Sequence, residues 1–500
     1  MPDGDLATSE VKPNWRRGFW SLIATQFQGA FNENALKFLI IYLVLALEKD
    51  KAQRDRLEFL VGALFAAPFI LFSLSGGYLA DRFSKRSVTI WTKVFEIGVM
   101  LLAVLALAGP NFPLALAGIF LVCTQGALFG PSKYGLLPEL LPAEKLSWGN
   151  GVLELGTFLG IIAGSVCGAL LADAFAGHQV YSGALLFAFA MVGLVFSFGI
   201  SRVPAADPAK RFRLTSIVDV WSPMKLIRGD RVLWLAVLGN TYFFFVAALL
   251  QFNIFLYGQD VLHLDSTHGG FLQAAVAIGI GVGSLAAGFL SGGKIEYGLI
   301  PLGALGMTLL GLCLAIPGLT FEEVLVLLAG LGFAGGFFIV PISALIQRIP
   351  EEEHKGGVLG AANWLSFVGV GVASGAYYAV SHWAHLSPGG IFLWASLATL
   401  AATGYVLYLL PDSLIRLLLW TATHTLYRLD IAGRERVPAK GGALLVPNHV
   451  SMADAAFLIA SLDRPVRFLM FKGSYDPRNI RKRTGRSSDA IRNIASAIDT

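Results

Sequence analysis

Apolar residues run along most of this chain in long blocks rather than in short alternation. A membrane-spanning helix needs about 20 consecutive apolar residues. Blocks of that size fall at 19–47, 58–80, 88–109, 113–137, 150–173 and 181–200. A polar stretch at 201–231 interrupts them, and six more blocks follow at 232–258, 268–292, 297–317, 321–347, 356–382 and 389–410. The pattern predicts twelve spans in two sets of six. It divides the chain into a polar tail at 1–18, a first half at 19–200, a linker at 201–231 and a second half at 232–410. The character then changes: 411–428 reads as an amphipathic interfacial helix, with Arg416 and Arg428 at its edge, and 429–500 as a separate region.

Composition narrows the class. The 500 residues are 55% hydrophobic and 14% charged, with mean hydropathy +0.66, whereas soluble domains carry about 25% charged residues. An all-α membrane protein is expected, and a soluble enzyme is excluded. The first 18 residues are polar and the block after them is long enough to span, so no cleaved signal peptide is expected. Cys123, Cys167 and Cys313 fall inside apolar blocks without ligand-like spacing, which predicts neither disulfide nor metal site.

Charge sets the orientation. Of the net +5, residues 411–500 carry 14 Lys/Arg against 8 Asp/Glu, and the rest 24 against 25. The linker and the 81–87 loop are rich in Lys and Arg, while the loops near 110, 177, 262, 319 and 385 have none. By the positive-inside rule both termini are cytoplasmic. The 48–58 loop dissents, but its four basic residues are offset by four acidic ones.

The two sets of six echo each other. Gly126-x4-Pro131 recurs as Gly336-x4-Pro341, and Asn150 with Gly156 as Asn363 with Gly369. Such echoes suggest a parallel repeat around a central site. The loop after the second block reads Gly77-Tyr-Leu-Ala-Asp81-Arg82-Phe-Ser-Lys85-Arg86. It resembles the signature of the major facilitator superfamily, with a degenerate second copy near Gly288 to Glu296. The resemblance implies a fold of two six-helix halves in which Gly77, Asp81, Arg82 and Arg86 form a conformational gate at the cytoplasmic face.

Ionisable residues at membrane depth are costly and usually functional. The first block carries Asn32, Glu33, Asn34 and Lys37, with Glu33 and Lys37 four residues apart on one helical face. The fourth carries Lys133 beside Pro131, and Glu96 and Glu154 lie in the third and fifth. Some of these could instead sit near the interface and snorkel. AFNENAL, GPSKYGLLPEL and GGFFIVPISALIQ, in blocks 1, 4 and 10, resemble bacterial lysophospholipid transporters over most of 15–410. That resemblance implies movement of lysophosphatidylethanolamine-like lipids across the inner membrane to the cytoplasmic leaflet. Glu33, Asn34, Lys37 and Lys133 would then line the pathway. The family has a basic residue in the seventh span, where this chain has Gln251.

The tail holds VPNHVSMADAAF at 446–457. His449-x4-Asp454 is in itself compatible with an ordinary helix start, Ser451 capping and Asp454 in the first turn. With Asn448 and the lead-in GRERVPAKGG, it resembles the glycerolipid acyltransferases of the 1-acylglycerol-phosphate type. There the chemistry needs a histidine base for the acceptor hydroxyl and an acid to orient it. The resemblance assigns those roles to His449 and Asp454, with an acyl-carrier protein or acyl-CoA as donor if the domain is complete. A short strand at 443–446 is expected before the motif. The family's later acceptor-binding motifs have no match in 471–500, which predicts an incomplete α/β domain and no acyl transfer. No other cofactor is expected, and no nucleic-acid partner. The reading is a lysophospholipid carrier fused to part of an acyltransferase that re-acylates its cargo. A drug or metabolite carrier with an inert tail, and an acyltransferase anchored by inert spans, are the alternatives.

Overall fold

In the computed structural model the described residues are 15–47, 51–109, 111–210, 219–264 and 266–409, with 415, 418–419, 437–438, 442–448, 454–462, 466 and 468 of the tail. They divide into two units, Met1–Leu407 and Tyr408–Thr500.

Among its described residues the regular structure of the first unit is helical. The first six long helices are α1 (Trp15–Leu47), α2 (Lys51–Arg82), α3 (Lys85–Ala108), α4 (Phe112–Leu140), α5 (Leu146–Ala174) and α6 (Val180–Phe198). A short α7 (Trp221–Gly229) follows the linker. Then come α8 (Arg231–Leu256), α9 (Ser266–Leu290), α10 (Leu299–Leu314), α11 (Phe321–Arg348), α12 (Lys355–Tyr378) and α13 (Pro388–Leu409). Among the described residues nine helices are long and apolar enough to cross a membrane. The chain is a multi-pass membrane protein.

Local chemistry fixes several helix ends. Asn111 accepts from the Leu114 N–H with Pro113 just inside α4, and Asp230 accepts from Leu233 N–H. Thr320 and Glu323 form a capping box on α11. Both α8 and α12 end in one π-helical turn, after which His263 and His385 take positive φ of 51° and 50°.

Packing in a bilayer gains little from hydrophobicity, so close approach of small residues has to supply contact. Gly156, Gly160, Gly164 and Gly168 recur every four residues along α5 and face α1. The same device joins α9 to α11. The halves touch along two related crossings, α2 with α12 and α5 with α9. Gly77 sits so close to the Gly356 carbonyl that a Cβ would lie 2.6 Å from it, and Gly288 holds the matching place against Trp148 at 2.8 Å. The degenerate second signature is therefore a packing copy of the first.

In the tail, the described residues include α14 (Asp454–Ser461), and the Ser451 cap expected ahead of it lies outside them. The strand expected at 443–446 is not formed. Residues 442–448 have no regular structure, and Leu444 and Val446 are about four-fifths exposed. A lone strand needs a ladder partner, and no strand occurs among the described residues.

Candidate transport pathway and closing seams

Two seams join the halves at the end where the linker lies. Along the first, Asp81 accepts from the Gly356 N–H at 2.6 Å and the Gly357 N–H at 2.9 Å, and pairs with Lys210 Nζ at 2.7 Å. One turn further in, Gly77 packs on Gly356 and Gly360. Next, Asn363 Nδ2 donates to Ser73 Oγ at 2.7 Å, and then Phe69 stacks on Phe367 with centroids 3.9 Å apart. Phe69, Ser73, Gly77 and Asp81 are spaced four apart, so each turn of α2 gives one contact to α12. Twelve residues at 1.5 Å each make this seam about 18 Å deep.

Along the second seam, Ser147 Oγ donates to the Lys294 carbonyl. Deeper in, Asn150 and Gln347 exchange hydrogen bonds of 3.0 and 2.7 Å through fully buried amides. Asn150 and Asn363, equivalent in the repeat, thus both reach across to the other half. Lys85 also pairs with Glu139, and Glu352 with Lys355, beside the first seam.

Asp81 is placed to act on the backbone of the other half. A helix N-terminus presents unsatisfied N–H groups and a partial positive charge, and a carboxylate answers both. The two arginines of the signature bond within the first half and its linker. Arg82 donates to the Tyr78 hydroxyl and the Lys210 carbonyl, and Arg86 to the Ile200 and Phe198 carbonyls. Arg82 fastens the linker to its own half and Arg86 holds the end of α6, and Asp81 alone of the four gate residues makes a polar bond across the halves among the described contacts.

Above the first seam lie the charged candidates. Glu33 and Lys133 are half-buried on α1 and α4, within electrostatic reach of each other, and Lys37 lies within reach of Glu33. Glu33 Oε2 faces Gly126, which is also met by the edge of Phe69, so the carboxylate and the aromatic stack share one neighbourhood. Lys133 lies over the Tyr134 ring at 4.4 Å and within reach of Glu154, which accepts from the Tyr134 hydroxyl at 3.1 Å. Asn34 is buried and donates back to the Ala30 carbonyl in its own helix. Gln251 is exposed, and its carbonyl accepts from Gln273.

Glu96 belongs to a different constellation. It is sealed between α1, α3 and α6, accepting from Lys93 Nζ at 2.7 Å, Gln28 Nε2 at 2.8 Å and Asn32 Nδ2 at 3.1 Å. Gln28 Oε1 accepts in turn from Lys93, and Asn32 also donates to the Leu186 carbonyl. Sequence reasoning missed Lys93 and Gln28. The i,i+3 charge pair in an apolar block was visible, but nothing local marks it as sealed. A buried ion tolerates its surroundings only when paired, and removing one partner costs about 3–5 kcal/mol. Lys93→Met is therefore expected to lower the thermal unfolding temperature in detergent sharply, and Lys93→Met with Glu96→Leu to restore most of it. Equal loss in both variants would rule out the pairing as the cause.

In the tail, Asn448 is exposed and Asp454 opens α14. His449 lies outside the described residues, so no geometry joins the three acyltransferase candidates. The span of 411–428 is likewise outside them, apart from Ile415, Leu418 and Leu419. Among the described residues no group of His, Cys, Asp or Glu is arranged to hold a metal ion.

Comparison with known proteins agrees with this architecture. Residues 23–374 match the Major Facilitator Superfamily, and residues 428–476 match the Acyltransferase family. The lysophospholipid transporter of Citrobacter koseri is 32% identical over 348 residues, 69% of this chain and 83% of that protein. That of an Enterobacter species is 30% identical over 365 residues, 71% and 85% of the two chains. Among solved structures, the human organic anion transporter MFSD10 superposes with a TM-score of 0.68 at 16% identity, over 79% of this chain and all of that one. The Escherichia coli fucose:proton symporter gives 0.63 at 14%, over 80% and 99%. With twelve long helices in two echoing halves, a glycine-aspartate seam between them and a family match over most of its length, this chain belongs to the major facilitator superfamily, where its relatives are the bacterial lysophospholipid transporters.

Proposed function

We propose that this protein carries lysophospholipid, of the lysophosphatidylethanolamine kind, across the bacterial inner membrane to the cytoplasmic leaflet by alternating access. The observation that supports this most is the placement of Glu33 and Lys133. Opposite charges lie within reach of each other at membrane depth, and an aromatic stack closes the seam beside them. A lysolipid has the matching build, with a charged head and one apolar chain. The phosphate would face Lys133 and an amine Glu33, while the chain lies against aromatic and aliphatic side chains. The seams from Asp81 to Phe69 and from Ser147 to Asn150 would open to release the lipid and close to reset the carrier. On this reading the linker end and both termini face the cytoplasm.

Reconstituted proteoliposomes with labelled lysophosphatidylethanolamine test the proposal. Uptake well above protein-free vesicles is expected, and none would sink it. The Asn448-His449-x4-Asp454 motif would place re-acylation chemistry on the face where the lipid emerges, so that the product of one step becomes the substrate of the next. Because residues beyond 408 form a unit of their own, a chain ending at residue 428 should keep uptake within about twofold, a change of under 1 kcal/mol. If the spans were only an anchor for an acyltransferase, lysolipid uptake would be absent from both chains.

A further inference from the structure

An apolar trough of about 660 Å³ runs along the outside of the bundle between α1, α5, α6 and α9. It is separate from the charged pathway. Its walls include Trp20, Phe27, Trp148, Leu155, Leu285 and Phe289, and its one polar lining residue is Gln28. Gln28 is itself buried and committed to Lys93 and Glu96, so it offers no free polar group to an occupant. The volume lies within the range of about 300–1,000 Å³ that pockets for single small ligands occupy.

The end of the trough nearest the linker has a different chemistry. Trp15, Trp20 and Trp148 cluster there, with ring centroids 6.3 Å apart for Trp15–Trp148 and for Trp20–Trp148. Lys145 Nζ lies 5.5 Å from the Trp15 ring and 5.7 Å from the Trp148 ring, and Arg16 stacks over Trp15 at 5.7 Å. Arg16, Arg17 and Lys145 are exposed, as is the neighbouring Glu144. Tryptophans at a helix end mark the membrane–water interface, and exposed basic residues at that level attract anionic lipid heads.

We infer that this trough is a binding site for an anionic diacyl phospholipid of the bilayer, one acyl chain lying in the trough and the phosphate held by Arg16, Arg17 and Lys145. The occupant would be a resident of the surrounding leaflet and not the transported cargo, and the inference stands independently of the transport reading. Its chain touches Leu285 and Phe289 of the second half together with Trp20 and Trp148 of the first. Those second-half residues lie on α9, which closes the second seam, so the bound lipid favours the arrangement in which the seam is shut. A ligand that contacts both halves only when they are closed shifts the population toward that state.

The full-length protein in nanodiscs, labelled with phosphatidylglycerol bearing a diazirine on one chain, tests the site. Peptide mapping is expected to place label on residues 20–28, 148–159 and 285–289. Ala24→Trp fills the trough and removes chain contacts, so labelling there should fall about tenfold with other positions unchanged. Leu159→Trp serves as a second filler if Ala24→Trp fails to fold. Arg16→Ala with Lys145→Ala should cut the preference for phosphatidylglycerol over phosphatidylethanolamine about fivefold. Label spread evenly around the bundle, or no head-group preference, would overturn the site. So would a diazirine lysophosphatidylethanolamine that displaces the diacyl probe, since the trough would then hold cargo.

Discussion

Glu33→Gln and Lys133→Ala are each expected to reduce lysolipid uptake by roughly ten- to hundredfold while leaving the protein folded. Removing one partner of a fully buried ion pair costs about 3–5 kcal/mol. Glu33 and Lys133 are only half-buried, so solvent screens part of that cost and about 1.5–3 kcal/mol is the fitting range. The loss should fall on transport rather than on stability, because these side chains are only half-buried and, on the proposed function, meet the lipid head. Thermal unfolding of the variants should therefore stay close to the parent, in contrast to Lys93→Met. If Glu33 and Lys133 act as a pair, the double variant will be no worse than the poorer single one, as coupled residues in a double-mutant cycle behave. Parent-like uptake in either single variant would remove the charged pathway from the mechanism, and with it the proposed contacts to the lipid head.

The second large effect is expected at Asp81. Its two oxygens accept from Gly356 and Gly357, the first N–H groups of α12, and one also accepts from Lys210. A hydrogen bond to a charged group contributes about 1.5–3 kcal/mol, and 1.4 kcal/mol is tenfold in a population. Asp81→Asn keeps the shape but loses the charge and one acceptor, so the ratio of closed to open states at the linker end should fall by roughly ten- to hundredfold. Spin labels at Phe83→Cys and Glu353→Cys, on exposed positions of the two halves, would report this as a shift to longer distances in a background lacking the three native cysteines. Uptake should fall with it, since a carrier that cannot reclose cannot cycle. An unchanged distance distribution would show that Gly77 packing and the Ser73–Asn363 bond hold the seam alone. Arg82→Ala should do far less to the distances, because Arg82 binds the linker of its own half.

Much of this was readable in the linear chain. Block length and charge bias predict a twelve-span bundle because a bilayer core admits only helices or closed barrels, and each helix must cover it with apolar side chains. Glu33 and Lys133 stood out for the same reason, as charges where charge is costly. Gly77 and Asp81 were legible from their spacing. The partners were not. Gln347, Ser73 and the N–H groups of Gly356 and Gly357 carry no mark in sequence, since amides, hydroxyls and backbone are common everywhere. Lys93 was hidden because a lysine followed by Glu96 three residues later reads like any helical pair, and nothing local says it is sealed beneath α1.

The sequence by itself determined the class of solvent, the helical build and which residues put charge into apolar blocks, because each is a local cost of placing one segment in lipid. Only the tertiary structure decided which charges lie beside the seam and which are locked in a half, which residue of the glycine-aspartate signature bonds across the seam, and where an outer trough meets a basic rim. Those depend on contacts between distant positions, such as the bond between Ser73 and Asn363, 290 positions apart. They are set by how helices cross, and helix crossings follow from shape complementarity between distant faces that no local pattern encodes.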